Sequence, residues 1–299
     1  MKFMYSYPET HGAAANMLDA GGVGEVARCV EDSGLHGISF TEHPAPGARW
    51  LEAGGHQTLD PFVALGAAAA ATERIKLLTY LAVVPYRNPF LLAKAAATVD
   101  IVSRGRMVLG VGTGYLKSEF AALGVDFDER NARFDESLDA IRAHWSGRPF
   151  DLVGSTFEAR NVIARPLPVQ ERIPIWIGGN AAVTRHRVAT KAEGWMPLHV
   201  PPGASKTVRT PVVDDVTRLA EIIAEIKDRS SSRGVDIDVL YHYHDESFVA
   251  DPTEDAARHR SALAELEGIG VTWILITRPS SSLRSTCDFL SAFADTYLS

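Results

Sequence analysis

The sequence predicts an α/β fold, a TIM (β/α)8 barrel with insertions after strands 2, 4 and 6. Short apolar runs alternate with longer helical patterns along the chain, as expected of repeated βαβ units. Eight such pairs follow one another without a long linker, whereas a doubly wound sheet would rarely need eight. The length of 299 residues fits one barrel of roughly 250 residues plus insertions. We therefore expect residues 1–299 to form a single domain.

The elements follow from apolar periodicity and from helix punctuation. Strands are predicted at Lys2–Ser6, Gly37–Thr41, Ile75–Val84, Arg106–Val111, Ile173–Ile177, Gly194–Leu198, Asp238–His244 and Val271–Thr277. Helices are predicted at Gly22–Ser33, Pro61–Thr72, Pro89–Ser103, Glu129–Trp145, Ala181–Ala192, Val213–Arg229, Thr253–Leu266 and Leu283–Ala294. Asp60-Pro61 and Asn88-Pro89 each place an N-cap residue before a proline at the first helical position.

Three irregular segments interrupt this rhythm. Pro44–Thr58 follows the second strand, and Val200–Pro211 follows the sixth. Between the fourth helix and the fifth strand, 146–172 is rich in glycine and proline and is interpreted as an inserted hairpin and crossover. All three lie near strand ends, where a barrel builds its site.

Composition excludes several classes of function. The formal net charge is −7 and no basic run occurs, which argues against binding to nucleic acid. No apolar stretch reaches the roughly 18 residues of a membrane span, and the amino terminus does not resemble a signal peptide. Cys29 and Cys287 are far apart in sequence, so we expect no disulfide and a cytoplasmic location.

Two glycine-rich turns follow predicted strands. Gly112-Thr113-Gly114, followed by Tyr115, could let backbone N–H groups approach a phosphate or a flat ring. Its pattern, G-x-G-x-G, is not the dinucleotide fingerprint, and a plain tight βα turn remains an alternative.

The second glycine turn is Gly178-Gly179-Asn180, directly before a helix. Helix N-termini carry unsatisfied N–H donors and the positive end of the dipole, which favours an anion. We therefore expect this turn to cradle a phosphate more readily than the first. The alternative is an ordinary N-cap by Asn180.

Histidines supply the candidate acid–base and metal-binding groups. His43, after Glu42 at the end of the second strand, could be a general acid or base, or a structural histidine. Glu42 is expected to contact the cofactor, but it could instead pair with a core cation. His242 and His244 share one strand face and could hold a metal, but only His199 stands near another strand end. We therefore predict no metal site.

Several short motifs together resemble a known family. They are Gly34–His43, Ile75–Thr79 with Pro85–Pro89, Ser103–Arg106 leading to Gly110–Tyr115 and Glu119, Arg165-Pro166, Pro174–Gly179, and Gly194-Trp195. In this order and spacing they resemble luciferase-like monooxygenases, especially the branch of coenzyme F420 (deazaflavin) dependent oxidoreductases. The last 100 residues match mainly in pattern.

The resemblance implies a cofactor across the strand ends, with its phosphate near the loops after the fourth and fifth strands. It assigns that phosphate to Thr113, Gly114 and Tyr115 and to Gly178, Gly179 and Asn180, and a supporting cis peptide to the neighbourhood of Leu81-Ala82. His43 matches the family's histidine near the reactive face of the ring. Glu42 departs from the aspartate more common there, and Pro44 follows His43, so substrate-side residues do not transfer.

The expected function is hydride transfer between coenzyme F420 and a small organic substrate, with His43 handling the accompanying proton. Three alternatives stay open. With FMN the same pocket would serve a monooxygenase. A relative without activity would be a flavin-binding protein, and His242 with His244 could serve a metal-dependent hydrolase. A homodimer is expected from the family alone.

Overall fold

The computed structural model describes residues 1–8, 16–199, 210–213 and 215–298. Its parallel strands form a closed barrel with helices outside, as the sequence predicts. The strand order is β3-β2-β1-β11-β10-β9-β8-β5-β4, and a further pairing of β3 with β5 closes the ring. These nine strands occupy eight positions around the barrel, which we call staves, because β3 and β4 lie end to end at one position.

The barrel strands are short and almost entirely buried. Their bounds are β1 Lys2–Ser6, β2 Gly37–Phe40, β3 Lys76–Thr79, β4 Ala82–Val83, β5 Met107–Gly112, β8 Ile175–Gly178, β9 Gly194–Met196, β10 Asp238–His242 and β11 Trp273–Ile276. Parallel strands covered by helices on one side and by packed side chains on the other read as continuous apolar runs. The core follows these runs around the ring.

Helices cover the barrel, and their starts follow the predicted caps. Their bounds are α1 Val23–Asp32, α2 Ala48–Glu52, α3 Pro61–Ala71, α4 Pro89–Val102, α5 Lys117–Ala122, α6 Arg130–Trp145, α7 Ala182–Lys191, α8 Val216–Ser230, α9 Glu246–Ala250, α10 Ala256–Gly268 and α11 Leu283–Tyr297. Asp60 accepts from Phe62 and Val63, and Asn88 accepts from Phe90. Within the described ranges, no helix is long and apolar enough to span a bilayer.

The third stave is interrupted. The sequence predicts one strand over Ile75–Val84, but β3 ends at Thr79 and β4 begins at Ala82. Between them the Tyr80–Leu81 peptide bond is cis, one bond before the position that the resemblance suggests. Both halves pair with β5, so the interruption is a local bulge toward the barrel mouth.

The insertions differ from one another in structure. Residues 150–153 and 158–162 form an antiparallel hairpin, β6 Phe150–Val153 and β7 Glu158–Val162, within the interval where a hairpin is expected. The insertion after the second strand contains the short helix α2. Most of the expected insertion after the sixth strand, residues 200–209, lies outside the described residues.

The prediction that the cysteines stay unpaired is wrong. Cys29 on α1 and Cys287 on α11 form a disulfide, with Cα atoms 5.4 Å apart. Closing a barrel brings its last helix beside its first, so a separation of 258 residues becomes a contact between neighbouring helices. Cysteine usage therefore no longer supports a reducing compartment.

Candidate active site

A cavity of about 450 Å³ opens at the carboxyl ends of the barrel strands. Its lining includes both glycine turns, with Gly112 to Tyr115 on one side and Gly178 and Gly179 on the other. The two turns are neighbours because β5 and β8 pair directly, with Val111 opposite Ile177. One ligand can therefore contact both turns, which the phosphate hypothesis requires.

Leu81 forms the floor between these turns. A Cβ placed on Gly112 would lie 2.5 Å from Leu81 Cδ1, and one on Gly178 would lie closer still to Cδ2. Real side chains do not tolerate such contacts, so glycine at both strand ends leaves the room that the Leu81 side chain fills. Ala82, which the sequence also assigns to the cofactor, is fully buried and does not line the cavity.

Glu42 fixes the bulge that carries Leu81. Its carboxylate accepts the backbone N–H of Val83 at 2.7 Å and is bound by the Arg87 guanidinium. Arg87 also reaches Asp60 at 2.8 Å. Burial raises the pKa of Glu42, and the Arg87 charge opposes that rise. Glu42 lines the cavity, but its carboxylate already pairs with Arg87. This is the pairing with a core cation that the sequence left as an alternative to cofactor contact.

His43 is held by a buried carboxylate. Its Nδ1 lies 3.1 Å from Oε2 of Glu119, which is 1% exposed. The same oxygen accepts from the Tyr86 hydroxyl at 3.0 Å, and Oε1 accepts from the Ala45 backbone at 3.2 Å. Burial and the neighbouring Glu119 raise the pKa of Tyr86, so that hydroxyl stays protonated as a donor. Glu119 therefore accepts from several groups at once and orients the imidazole.

Aromatic rings surround His43. Its ring centroid lies 4.4 Å from that of Trp50, 5.1 Å from His56 and 5.9 Å from Tyr115. Trp50 and His56 come from the insertion after the second strand. These rings limit the access of water to His43 from that side.

The backbone donors at the second glycine turn are already in use. Gly179 adopts φ +112° and donates its N–H to Met196 O at 3.1 Å. Asn180 is fully buried: its N–H donates to Thr210 Oγ1 and its side chain bonds Leu198 and Pro211. Asn180 therefore lies outside the cavity lining, ties two loops together, and is not the cap of α7.

The first turn of α7 offers better-placed donors for an anion than Gly178–Asn180. Its N-cap residue, Ala181, makes no side-chain capping bond, so the first backbone N–H groups of the helix lack that partner. Ala181, Val183 and Thr184 line the cavity beside Gly179, and Arg130 lines it from the start of α6. A helix N-terminus, a hydroxyl and a guanidinium together favour a phosphate.

A third group of polar side chains occupies the ends of β9 and β10. His199, His242 and His244 all line the cavity, with ring centroids 3.6 Å apart for His242 and His244 and 5.0 Å apart for His199 and His244. Burial and the neighbouring imidazoles lower the pKa of His242 well below its ordinary range. Burial, then His199, lowers the pKa of His244 to about 4. Among the residues that the structure describes, no cluster of three or more His, Cys, Asp or Glu could hold a metal ion.

Sequence reasoning missed several residues of the lining. They include His56, Tyr80, Arg130, Asn131, Thr184 and Thr210. For Arg130 and Thr184 a signal existed, since a helix that follows a barrel strand begins at the same rim where the strand ends. His56 and Thr210 stand in irregular loops, where sequence periodicity carries no directional information.

The comparisons with known proteins agree with this architecture. The family model described as luciferase-like monooxygenase matches residues 1–270. That match covers all the strand ends that build the cavity except the end of β11, so it includes both glycine turns, His43 and Glu119.

Curated relatives are similar over parts or most of the chain. An uncharacterised protein of Mycobacterium tuberculosis is 38% identical over 141 residues, which are 47% of this chain and 50% of that protein. The chain thus spans about half the length of that relative. An F420-dependent glucose-6-phosphate dehydrogenase of Amycolatopsis mediterranei is 26% identical over 289 residues, covering 90% of this chain and 84% of that one.

Among solved structures, the monooxygenase RslO1 from Streptomyces bottropensis superposes with a TM-score of 0.77 at 20% identity. The superposition covers 100% of this chain and 99% of that chain. At this identity the likeness shows the shared fold alone.

Proposed function

The chain belongs to the luciferase-like monooxygenase family, and we propose that it is an oxidoreductase that transfers a hydride between coenzyme F420 and a small organic substrate. The carrying observation is that one cavity joins an anion-binding helix start to a carboxylate-held histidine. The first feature suits the phosphate of a flavin or deazaflavin. The second suits proton transfer that accompanies a hydride.

The residues present fit such a cofactor. Leu81, Val83 and Met196 give the cavity apolar surfaces on which a flat ring can lie. The uncapped start of α7, with Arg130 nearby, is placed for a phosphate at the other end. Gly112 and Gly178 leave the space that the Leu81 side chain occupies beneath the cavity. A cofactor with a flat apolar ring and an anionic tail matches a cavity that is apolar at one end and favours an anion at the other.

The cofactor would supply the hydride chemistry, and the protein supplies binding, orientation and water exclusion. Because Glu119 accepts at Nδ1 of His43, that nitrogen carries a proton and Nε2 becomes the proton-exchanging atom. When Nε2 takes a proton from a substrate hydroxyl, the buried Glu119 charge stabilises the resulting imidazolium. In the opposite direction the same Nε2 returns the proton. Trp50 and Tyr115 keep bulk water from this exchange.

F420 is favoured over FMN by a relative. The Amycolatopsis enzyme, similar over 90% of this chain, is named as F420-dependent. FMN-dependent monooxygenation is the second candidate, favoured by the family description and by the fold shared with a monooxygenase. Both cofactors are flat rings with a phosphate, so the cavity accommodates either in outline.

Two parallel binding titrations test this proposal. Purified protein is titrated with F420 and, separately, with FMN, while tryptophan fluorescence is followed, since Trp50 packs against His43 and His56 of the cavity lining. We expect F420 to bind at least tenfold more tightly than FMN. Tighter binding of FMN would favour the monooxygenase, and binding of neither would overturn both. Binding of F420 without turnover on any alcohol or carbonyl substrate would identify a non-catalytic flavin-binding protein.

A further inference from the structure

Three imidazoles in the cavity have no hydrogen-bond partner among the described residues. Nδ1 of His199 is buried and unpartnered. The ring of His244 lies 3.6 Å from that of His242 and 5.0 Å from that of His199. A buried polar atom such as Nδ1 of His199 normally finds a partner, and one that lacks it marks a place where a ligand completes the site.

The strand geometry makes these imidazoles converge. His242 is the last residue of β10, and His244 follows two residues later, so both side chains leave the strand on the same side. His199 comes from the loop after β9, the neighbouring stave. β11 and β1 separate β10 from β2, which carries His43. A substrate can therefore contact His43 with one end and the three imidazoles with the other.

The described residues around this cluster provide no counter-ion for it. Asp245, the nearest acid in the chain, pairs with Arg258 at 2.7 Å. The hydroxyl of Tyr243 bonds His259 at 3.0 Å, and burial raises the pKa of both Tyr241 and Tyr243. Among the described residues of the lining, Glu42 is held by Arg87 and Glu119 lies behind His43. Burial, then His244 and His199, lowers the pKa of His242, and burial, then His199, lowers that of His244. No ion pair joins a described carboxylate to any of the three rings.

We propose that His199, His242 and His244 form a substrate subsite for a carboxylate group, which binds with uptake of a proton. The proposal rests on the proposed function, because it assigns one end of the substrate of that reaction. A carboxylate supplies the counter-charge that the cluster lacks, so it stabilises the protonated imidazole. It also accepts N–H donors from more than one ring, in charge-assisted hydrogen bonds.

A carboxylate fits this subsite better than a phosphate. Of the described residues that line the cavity, Arg130 alone carries a permanent positive charge, and it stands with the start of α7. Arg130 and the start of α7 follow β5 and β8 in the chain, whereas the three imidazoles follow β9 and β10. A cluster that gains one proton balances one negative charge. A carboxylate carries one negative charge, whereas a phosphate ester carries nearly two at pH 7.

Histidine-detected NMR tests the subsite without any turnover. Protein with isotope-labelled histidine is titrated with acid at fixed ionic strength, alone and with acetate as the probe. Resonances are assigned with the variants His199→Asn, His242→Asn and His244→Asn. Acetate should raise the titration midpoint of His244 by about one pH unit or more, as an opposite charge at contact distance does. His36, on the opposite rim of the barrel at the start of β2, is the internal control and should not respond.

The outcomes separate this proposal from the proposed function. No acetate-dependent change at His242 or His244, or an equal change at His36, overturns the subsite. A response to inorganic phosphate but not to acetate also overturns it. If acetate shifts these histidines while F420 and FMN both fail to bind, the subsite stands and the proposed function falls. If F420 binds but acetate has no effect, the proposed function stands and the subsite falls.

Discussion

Nδ1 of His43 lies 3.1 Å from the buried carboxylate of Glu119, although the two residues are 76 positions apart in sequence. One comes from the end of the second stave and the other from α5, in the loop after the fourth. Both elements are needed before the imidazole has a defined tautomer. The proposed proton exchange at Nε2 depends on this pair more than on His43 alone.

Replacing His43 tests its role as acid or base. His43→Ala should reduce kcat by roughly 10²–10⁴-fold, the usual contribution of a positioned proton-transfer group. Glu119→Gln should cost less, about 10–100-fold, since it keeps an acceptor but loses the charge that stabilises the imidazolium. The double variant should be no slower than His43→Ala, because the two residues act as one unit. His186→Ala removes an exposed imidazole outside the cavity lining and is the control. Steady-state rates equal to wild type in His43→Ala would leave it only a structural role.

The Leu81 floor predicts a specific steric effect. Gly178→Ala pushes Leu81 into the cavity and should weaken cofactor binding by about 1–3 kcal/mol, the cost of overpacking. Combining it with Leu81→Ala should restore part of that loss, which fluorescence titration measures. Gly66→Ala is the matched control: nothing lies within 4 Å of the added methyl, so α3 should gain about 0.4–1 kcal/mol. Unchanged cofactor affinity in Gly178→Ala would contradict the placement of Leu81 beneath the ring.

The start of α7 can be tested by charge. Val183 lines the cavity in the first turn and is 45% exposed. Val183→Glu should raise helix stability slightly, by about 0.3–1 kcal/mol, because an acid at this end favours the dipole. The same charge should repel a cofactor phosphate and weaken binding at least tenfold, while Val183→Gln should bind nearly as wild type. Equal affinity of the two variants would place the phosphate elsewhere.

The imidazole cluster predicts a pH dependence of stability. His242 and His244 have lowered pKa values in the folded protein, so below the ordinary histidine pKa the unfolded chain binds more protons. Their contribution is complete above about pH 6.5 and is lost as the pH falls toward 4. Urea unfolding at pH 7 and pH 5 should show this loss, and it should be smaller in His244→Asn. His36, His144 and His259 have lowered pKa values in both proteins, so their effects cancel. An identical pH slope would refute the assignment.

The disulfide predicts sensitivity to reductant. Reduction should destabilise the fold by up to about 5 kcal/mol in the chain-entropy account, because the bond closes a loop across nearly the whole chain. Thermal unfolding with and without dithiothreitol measures this effect. Cys29→Ser should unfold at the lower temperature under both conditions. Two free thiols in the untreated denatured protein would show that the bond does not form.

The sequence alone determined the order of strands and helices, and through it the rim on which the site lies. Apolar runs alternating with amphipathic helices permit few other folds, and N-caps such as Asp60 and Asn88 fix helix starts locally. For the same reason Gly112–Tyr115 and Gly178–Gly179 could be placed at one rim without coordinates. His43 followed from its position after a strand.

Only the tertiary structure decided which atoms remain available. Asn180 looks like an anion-binding residue in the sequence, but Leu198, Thr210 and Pro211 use its polar groups. Cys29 and Cys287 become neighbours because the ring closes. The partnership of His43 with Glu119 and the convergence of His199 with His244 have the same origin. Each joins residues from different staves, and periodicity along a chain carries no information about distances across a barrel.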